Sequence, residues 1–224
     1  LGDVVEAAEA DGVPVFEALD AVDALPTGTT GHDHDDDHDH GDEEDEAHTH
    51  TEDEADGHDH GDVDPHFFTD PIRMADAVDG LATFLTDEVP GLDAEALATA
   101  ADDYRAQLEQ IVADGDAVLA DVADDQRVMI TDHEVFSYLA DRFDLEIVGT
   151  VIPSGSTTDG ADARNLAELA GVIEAEGVPA VFTGSSTDPT PAETLGEEDG
   201  GEVAVVGLYA ESLGEEGSEG DTYL

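Results

Sequence analysis

The 224-residue chain has no cysteine and no tryptophan, and only five of its residues are basic. All five are arginines (73, 105, 127, 142 and 164), so lysine is missing as well. Without cysteine, disulfides say nothing about the redox compartment. Without a basic cluster, no patch can neutralise a phosphate backbone, which argues against nucleic-acid binding. There is no apolar run of membrane-spanning length and no signal-peptide pattern. The chain starts at Leu1 inside a helix-like pattern and stops at Leu224 without a stop signal. We therefore expect both ends, and any targeting segment, to lie outside it.

Acid is what the chain has in excess. Asp and Glu total 60, for a formal net charge of −55. Residues 32–62 hold 16 of these acids and no base, which leaves 44 acids against five bases elsewhere, a net −39. The excess is therefore global. Such a chain repels itself at low ionic strength and is relieved by salt with a short Debye length. Adaptation to very high salt is the reading this charge supports.

At 39% hydrophobic residues the chain can still build cores, enough for one large domain or two lobes of about 100 residues each. Residues 1–11 read as a helix end and 13–19 as a short strand. From 26 to 62 almost nothing is apolar, and the segment GHDHDDDHDHGDEEDEAHTHTEDEADGHDHGD reads as a disordered, solvated loop. Asp70 followed by Pro71 predicts a capped helix start, with Met74, Val78, Leu81 and Leu85 at helical spacing. Asp93 is the next cap. Leu97, Ala101, Tyr104, Leu108, Ile111, Val118 and Val122 then form one stripe, predicting a helix of about 30 residues, roughly 45 Å long. Beyond it strands and helices alternate: strand 128–131, helix 133–143, strand 146–151, helix 162–176, strand 178–182, helix 191–198, strand 202–208. That order implies an α/β fold with a parallel sheet and right-handed crossovers.

Eight of the ten histidines fall in the acidic loop: His32, His34, His38, His40, His48, His50, His58 and His60. Their His-x-His pairs among carboxylates suit Zn²⁺, Cu²⁺ or Ni²⁺, held weakly and several at a time. Acid alone would keep an insertion soluble, so the imidazoles point to metal capture. Only His66 and His133 lie in segments expected to fold. His66 sits in a Pro-bounded turn, and His133 directly follows a strand. Glu211 holds the equivalent place after the last strand, and ligands collect beyond the carboxyl ends of strands in open parallel sheets. A single histidine in a turn is most often a hydrogen-bonded turn residue. Two such placements with a carboxylate make a plausible zinc set.

These residues resemble the metal-binding lipoprotein family of ABC importers, the zinc and manganese solute-binding proteins (ZnuA/TroA-like). Asp64-Pro65-His66 with Asp70-Pro71 is similar to the family's DPHxWxDP segment, with Phe68 for the usual Trp. Thr131 to Tyr138 is similar to its TxHxAFxY segment, residues 166–182 to the following helix and strand, and Glu211-Ser212-Leu213 to the segment with the C-terminal carboxylate ligand. The His-rich insertion before Asp64 matches the zinc branch, here from a halophile.

The resemblance implies two lobes of parallel sheet with flanking helices, joined by one long linking helix. These would be an N-terminal lobe at 1–92 with the loop 26–62, a linking helix at 93–124 and a C-terminal lobe at 125–224. It implies an extracytoplasmic, membrane-anchored protein, not an enzyme. Such a protein takes Zn²⁺ (alternatively Mn²⁺) on His66, His133 and Glu211 and delivers it to an ABC permease and its ATPase. A further family histidine lies upstream of Leu1, and Glu211 stands where Asp is frequent. The alternatives are a manganese or iron binder of the same fold, a zinc-buffering or adhesion-type surface protein, and a zinc hydrolase. No HExxH or other evident general base supports the last.

Overall fold

The computed structural model describes residues 2–28, 63–152, 163–198 and 203–224. The loop histidines at 32–60 lie outside the described residues.

Helix α1 (Gly2–Ala10) leads into an irregular stretch and a 3₁₀ turn at Ala18–Ala21. The strand expected at 13–19 is absent. Phe16 instead lies against Phe84 at 5.5 Å between ring centroids. Gly80 lets this stretch approach closely, because a Cβ there would meet that of Ala21 at 2.7 Å. The apolar residues of 13–19 serve a helix face rather than a sheet.

Helix α2 (Pro71–Glu88) begins as its sequence dictates. The Asp70 side chain accepts from the Ile72 amide, and Pro71 sits where no amide is needed. Helix α3 (Ala94–Leu119) is capped by Asp93, whose side chain accepts from the Ala96 amide at 3.1 Å. The turn between them needs Gly91 at φ +90°. Arg105 ties the helices together by bonding Asp76 at 2.6 Å and Asp79 at 2.8 Å. α3 has 26 residues rather than about 30, and its stripe is only partly used. Ala101 and Leu108 are buried, whereas Val118 is 70% exposed. Arg127 closes its end by donating to the Leu119 carbonyl at 3.0 Å, a cation where the helix dipole is negative.

The remainder is α/β. Strands β1 (Val128–Thr131), β2 (Glu146–Thr150), β3 (Ala180–Gly184) and β4 (Ala204–Leu208) form one parallel sheet in the order β2-β1-β3-β4. Among the described residues, 2–28 and 63–92 hold no strand, so the sheet lies wholly in the second half. All four residues of central β1 are buried and split between two faces. Val128 and Ile130 join Leu169 and Ile173 of α5 (Ala163–Glu176) and Leu195 of α6 (Thr190–Glu198). Met129 joins Phe136, Ile147 and Ala140 of α4 (Ser137–Phe143) on the other face. α4 starts four residues later than its sequence pattern implies. The Asp132 side chain takes the His133 amide, and the Val135 amide returns to the His133 carbonyl at 2.9 Å, which makes a turn of that stretch. His133 is thereby left at the mouth of β1 instead of inside a helix.

One carboxylate joins the two halves. Asp70 is 0% exposed and accepts from Arg73 at 2.9 Å and from Arg142 through two bonds of 2.8 Å. Arg73 also reaches Asp141 at 2.8 Å and the Asp23 carbonyl at 2.7 Å. Burial pushes the Asp70 carboxyl up, but hydrogen bonds from Arg142, the Ile72 amide and Arg73, with the charge of Arg142, outweigh it and hold it below the usual carboxylate range. A lowered native pKa stabilises the fold above the unfolded value of about 3.9, and that stability is lost as pH falls through the native pKa.

Replacing Asp70 by Asn should cost about 3–5 kcal/mol, because buried Arg73 and half-buried Arg142 lose the buried counter-charge they share. Urea unfolding at neutral pH measures it. The deficit should shrink as pH falls below the usual carboxylate range, where the native carboxyl itself takes a proton.

Candidate functional site

Three stretches far apart in sequence converge at one place. Residues 64–69 carry His66 into a 3₁₀ turn (Phe67–Thr69), held at its base by the capped start of α2. The turn after β1 carries His133, and the segment after β4 carries Glu211. Each histidine is fixed by a preceding aspartate in the same way. Asp64 Oδ1 lies 2.7 Å from His66 Nδ1 and accepts the His66 amide at 2.9 Å. Asp132 Oδ1 lies 2.8 Å from His133 Nδ1 and accepts the His133 amide at 2.9 Å. With Nδ1 engaged, each ring presents Nε2 to the site.

Both Nε2 atoms face Glu211. His133 Nε2 is 3.2 Å from Oε2, and His66 Nε2 is 3.9 Å from Oε1. The imidazole rings stand nearly perpendicular with centroids 6.4 Å apart. Side-chain exposure is 2% for His133, 19% for His66 and 40% for Glu211. A basic nitrogen and a carboxylate oxygen repel unless a positive species lies between them. Either a proton or a metal ion serves. Ligands about 2.0 Å from a tetrahedral ion stand about 3.3 Å apart, so the observed separations have the right scale. The described residues do not yet hold three or more His, Asp or Glu side chains closed to metal-binding geometry. The three groups converge without clasping a point.

The hydrogen bond that His133 donates to Asp132, assisted by the charges of Asp132 and Glu211, holds the imidazole pKa above its ordinary value against burial. Burial pushes the Asp132 carboxyl up, but hydrogen bonds from His133, Thr187 and the Gly184 amide outweigh it and hold it down. Glu211 also borders an apolar cavity of about 580 Å³ whose walls include Phe68, Phe136, Tyr209, Leu213 and Tyr223. The Tyr223 hydroxyl donates to the Phe68 carbonyl at 2.6 Å, tying the last residues to the turn that follows His66. Burial raises the Tyr223 phenol well above its usual range.

His66, His133 and Glu211 are thus brought together as their sequence positions suggest. The eight loop histidines lie outside the described residues. Sequence reasoning did not single out Asp64, Asp132 or Tyr138. Tyr138 is fully buried, accepts the Leu25 amide at 2.9 Å and donates to the Asp64 carbonyl at 2.6 Å. The signal for the aspartates was present, since each stands within two residues of its histidine. Tyr138 is marked only as the closing residue of the TxHxAFxY likeness, without a role.

The sequence model of the family described as "Zinc-uptake complex component A periplasmic" matches residues 1–224. The manganese-binding lipoprotein MntA of Bacillus subtilis is 26% identical over 165 residues, covering 71% of this chain and 53% of its own. The zinc-binding protein TroA of Treponema pallidum is 27% identical, covering 72% and 53%. The chain therefore spans about half the length of these relatives. Among solved structures, one from a study of the metal-binding specificity of TroA is 30% identical with a TM-score of 0.63, over 71% of this chain and 59% of that one. The periplasmic zinc-binding protein TroA from Treponema pallidum has a TM-score of 0.64 at 24% identity, over 75% and 61%.

Changing Tyr138 to Phe removes one hydroxyl and strands a buried amide and a buried carbonyl. Stability should fall by about 1–3 kcal/mol. Amide exchange at Leu25 should quicken, which hydrogen-exchange NMR detects.

Proposed function

The chain belongs to the zinc-uptake complex component A family, and from that premise we propose that it captures Zn²⁺ on His66, His133 and Glu211 for delivery to an ABC permease. Members of this family are metal-binding, extracytoplasmic components of ABC uptake systems rather than enzymes, and they work with a permease and its ATPase. The observation that carries the finer reading is the convergence of two imidazole Nε2 atoms on one carboxylate. Two nitrogens and an oxygen suit zinc and leave one tetrahedral position for a further ligand.

Zinc is preferred over manganese for a chemical reason. Imidazole suits zinc, whereas manganese favours sites dominated by carboxylate, carbonyl and water oxygens. The eight loop histidines weigh the same way, as collectors that raise the local zinc concentration. The likeness to a manganese-binding lipoprotein keeps Mn²⁺ as the second reading. We further propose the division into an N-terminal lobe at 1–92, a linking helix at 93–124 and a C-terminal lobe at 125–224. We also propose membrane attachment on the extracytoplasmic side. The acidic surface fits a salt-rich medium. No helix among the described residues is long and apolar enough to cross a membrane.

Elemental analysis of the full-length protein after dialysis should find tightly held zinc. His66→Ala and His133→Ala should each weaken it more than about 100-fold, or about 2.8 kcal/mol, with far-UV dichroism unchanged. Full retention in both variants would remove the assignment. Protons compete for the same nitrogens, so affinity should also fall with pH, beginning above the ordinary imidazole value of about 6.5 because His133 is raised. Deleting residues 30–62 should slow loading from scarce zinc but leave the tight site intact. Loss of the tight site on deletion would place a primary ligand in the loop.

A further inference from the structure

The Asp132 carboxylate accepts from four donors at once. Oδ1 takes the His133 amide at 2.9 Å and faces His133 Nδ1 at 2.8 Å. Oδ2 takes the Gly184 amide at 2.7 Å and the Thr187 hydroxyl at 2.5 Å. The Thr187 oxygen also lies 2.9 Å from the Gly184 carbonyl. Its single proton goes to the carboxylate, the shorter and charge-assisted partner. Asp132 is 4% exposed and His133 2% exposed, so water does not readily substitute for any of these bonds. Gly184 has to be a glycine, because a Cβ there would meet the Thr187 hydroxyl oxygen at 2.6 Å.

Resting on the proposed metal reading, we infer that Asp132 is a positioning residue, held by the turn after β3, that keeps the His133 proton on Nδ1 and its Nε2 lone pair aimed at Glu211. Only a carboxylate offers an acceptor at both ends. An isosteric amide has to place its NH₂ group against one pair of donors. If it faces Gly184 and Thr187, the anchor fails. If it faces His133, it donates to Nδ1, drives the proton to Nε2 and blocks the lone pair that would bind metal. Thr187 acts at one remove. It holds Asp132, which holds the ring, so β3 and its turn support a ligand that emerges from β1. Supporting carboxylates behind a ligating imidazole typically matter by 10–100-fold in metal affinity.

The test uses the full-length protein with Asp132→Asn, Thr187→Val and Thr187→Ser. Zinc affinity is read by chelator competition. The ring tautomer of His133 is read without metal by long-range ¹H–¹⁵N correlation at about pH 9. The wild type should show the proton on Nδ1. Asp132→Asn should lose that single tautomer and bind zinc 10–100-fold more weakly. Thr187→Val should weaken zinc several-fold, and Thr187→Ser should restore it. Unchanged tautomer and affinity in Asp132→Asn overturn the inference. So does weakened binding with the tautomer intact, which would be general damage rather than positioning. If Asp132→Asn does not fold, the threonine pair decides: Val weaker with Ser restored supports the inference, and Val equal to wild type overturns it. A wild type that binds no zinc removes the metal reading instead, and the tautomer still reports on Asp132.

Discussion

The buried Asp70 carboxylate is the most heavily charged of the contacts on which the two halves of this molecule meet. Sixty acidic side chains repel one another, and only five cations are present to offset them. Two of the five, Arg73 and Arg142, converge on this one group. Asp70 also caps α2, so a single side chain starts a helix and joins it to α4. Arg105 joins α2 to α3, and Arg127 closes the end of α3. Four of the five arginines thus tie elements together. Asp70 and Arg73 are shielded from solvent, so their attraction is screened by salt far less than that of exposed charges. Added salt therefore removes surface repulsion and leaves this attraction largely in place.

The same clamp sets the site. His66 lies four residues before Asp70, so fixing the start of α2 against α4 fixes the height at which the 66–69 turn meets the mouth of β1. Tyr138, on the same α4, reaches the Asp64 carbonyl and lies under the Arg73 guanidinium at 4.9 Å. The histidine from the first half is therefore positioned by residues of the second. Separation of the halves would move His66 away from His133 and Glu211.

Much of this fold was legible in the sequence, because its signals are local. Asp70 with Pro71, and Asp93, announce helix starts that the structure confirms. Strand–helix alternation after 127 yields the parallel sheet, with the first strand's boundaries matched and the others within four residues. The failures share a cause. Residues 13–19 alternate like a strand but pack on α2, and a period of two cannot say what the apolar side meets. The α3 stripe continues past Leu108 onto residues that remain exposed, as Val118 does. That His66, His133 and Glu211 converge was legible from chain chemistry and strand ends. The groups that brace them were not, because Tyr138 to Asp64 and Asp132 to Thr187 are contacts across 74 and 55 residues.

The bracing is unequal, and the inequality bears on how such a site would load and unload. His133 and His66 each hold an aspartate on Nδ1, and those aspartates are held in turn. The described structure gives Glu211 no hydrogen-bond or ion-pair partner except the two rings, and it is 40% exposed at the rim of the apolar cavity. On the proposed reading, an arriving cation finds two nitrogens already oriented and one carboxylate with a single set of bonds to exchange. The carboxylate then trades its contacts with the rings for one with the ion, and the cost of reorganisation falls on the least supported of the three groups. Release would run the same way in reverse, with the solvent-facing carboxylate leaving first and the braced imidazoles last.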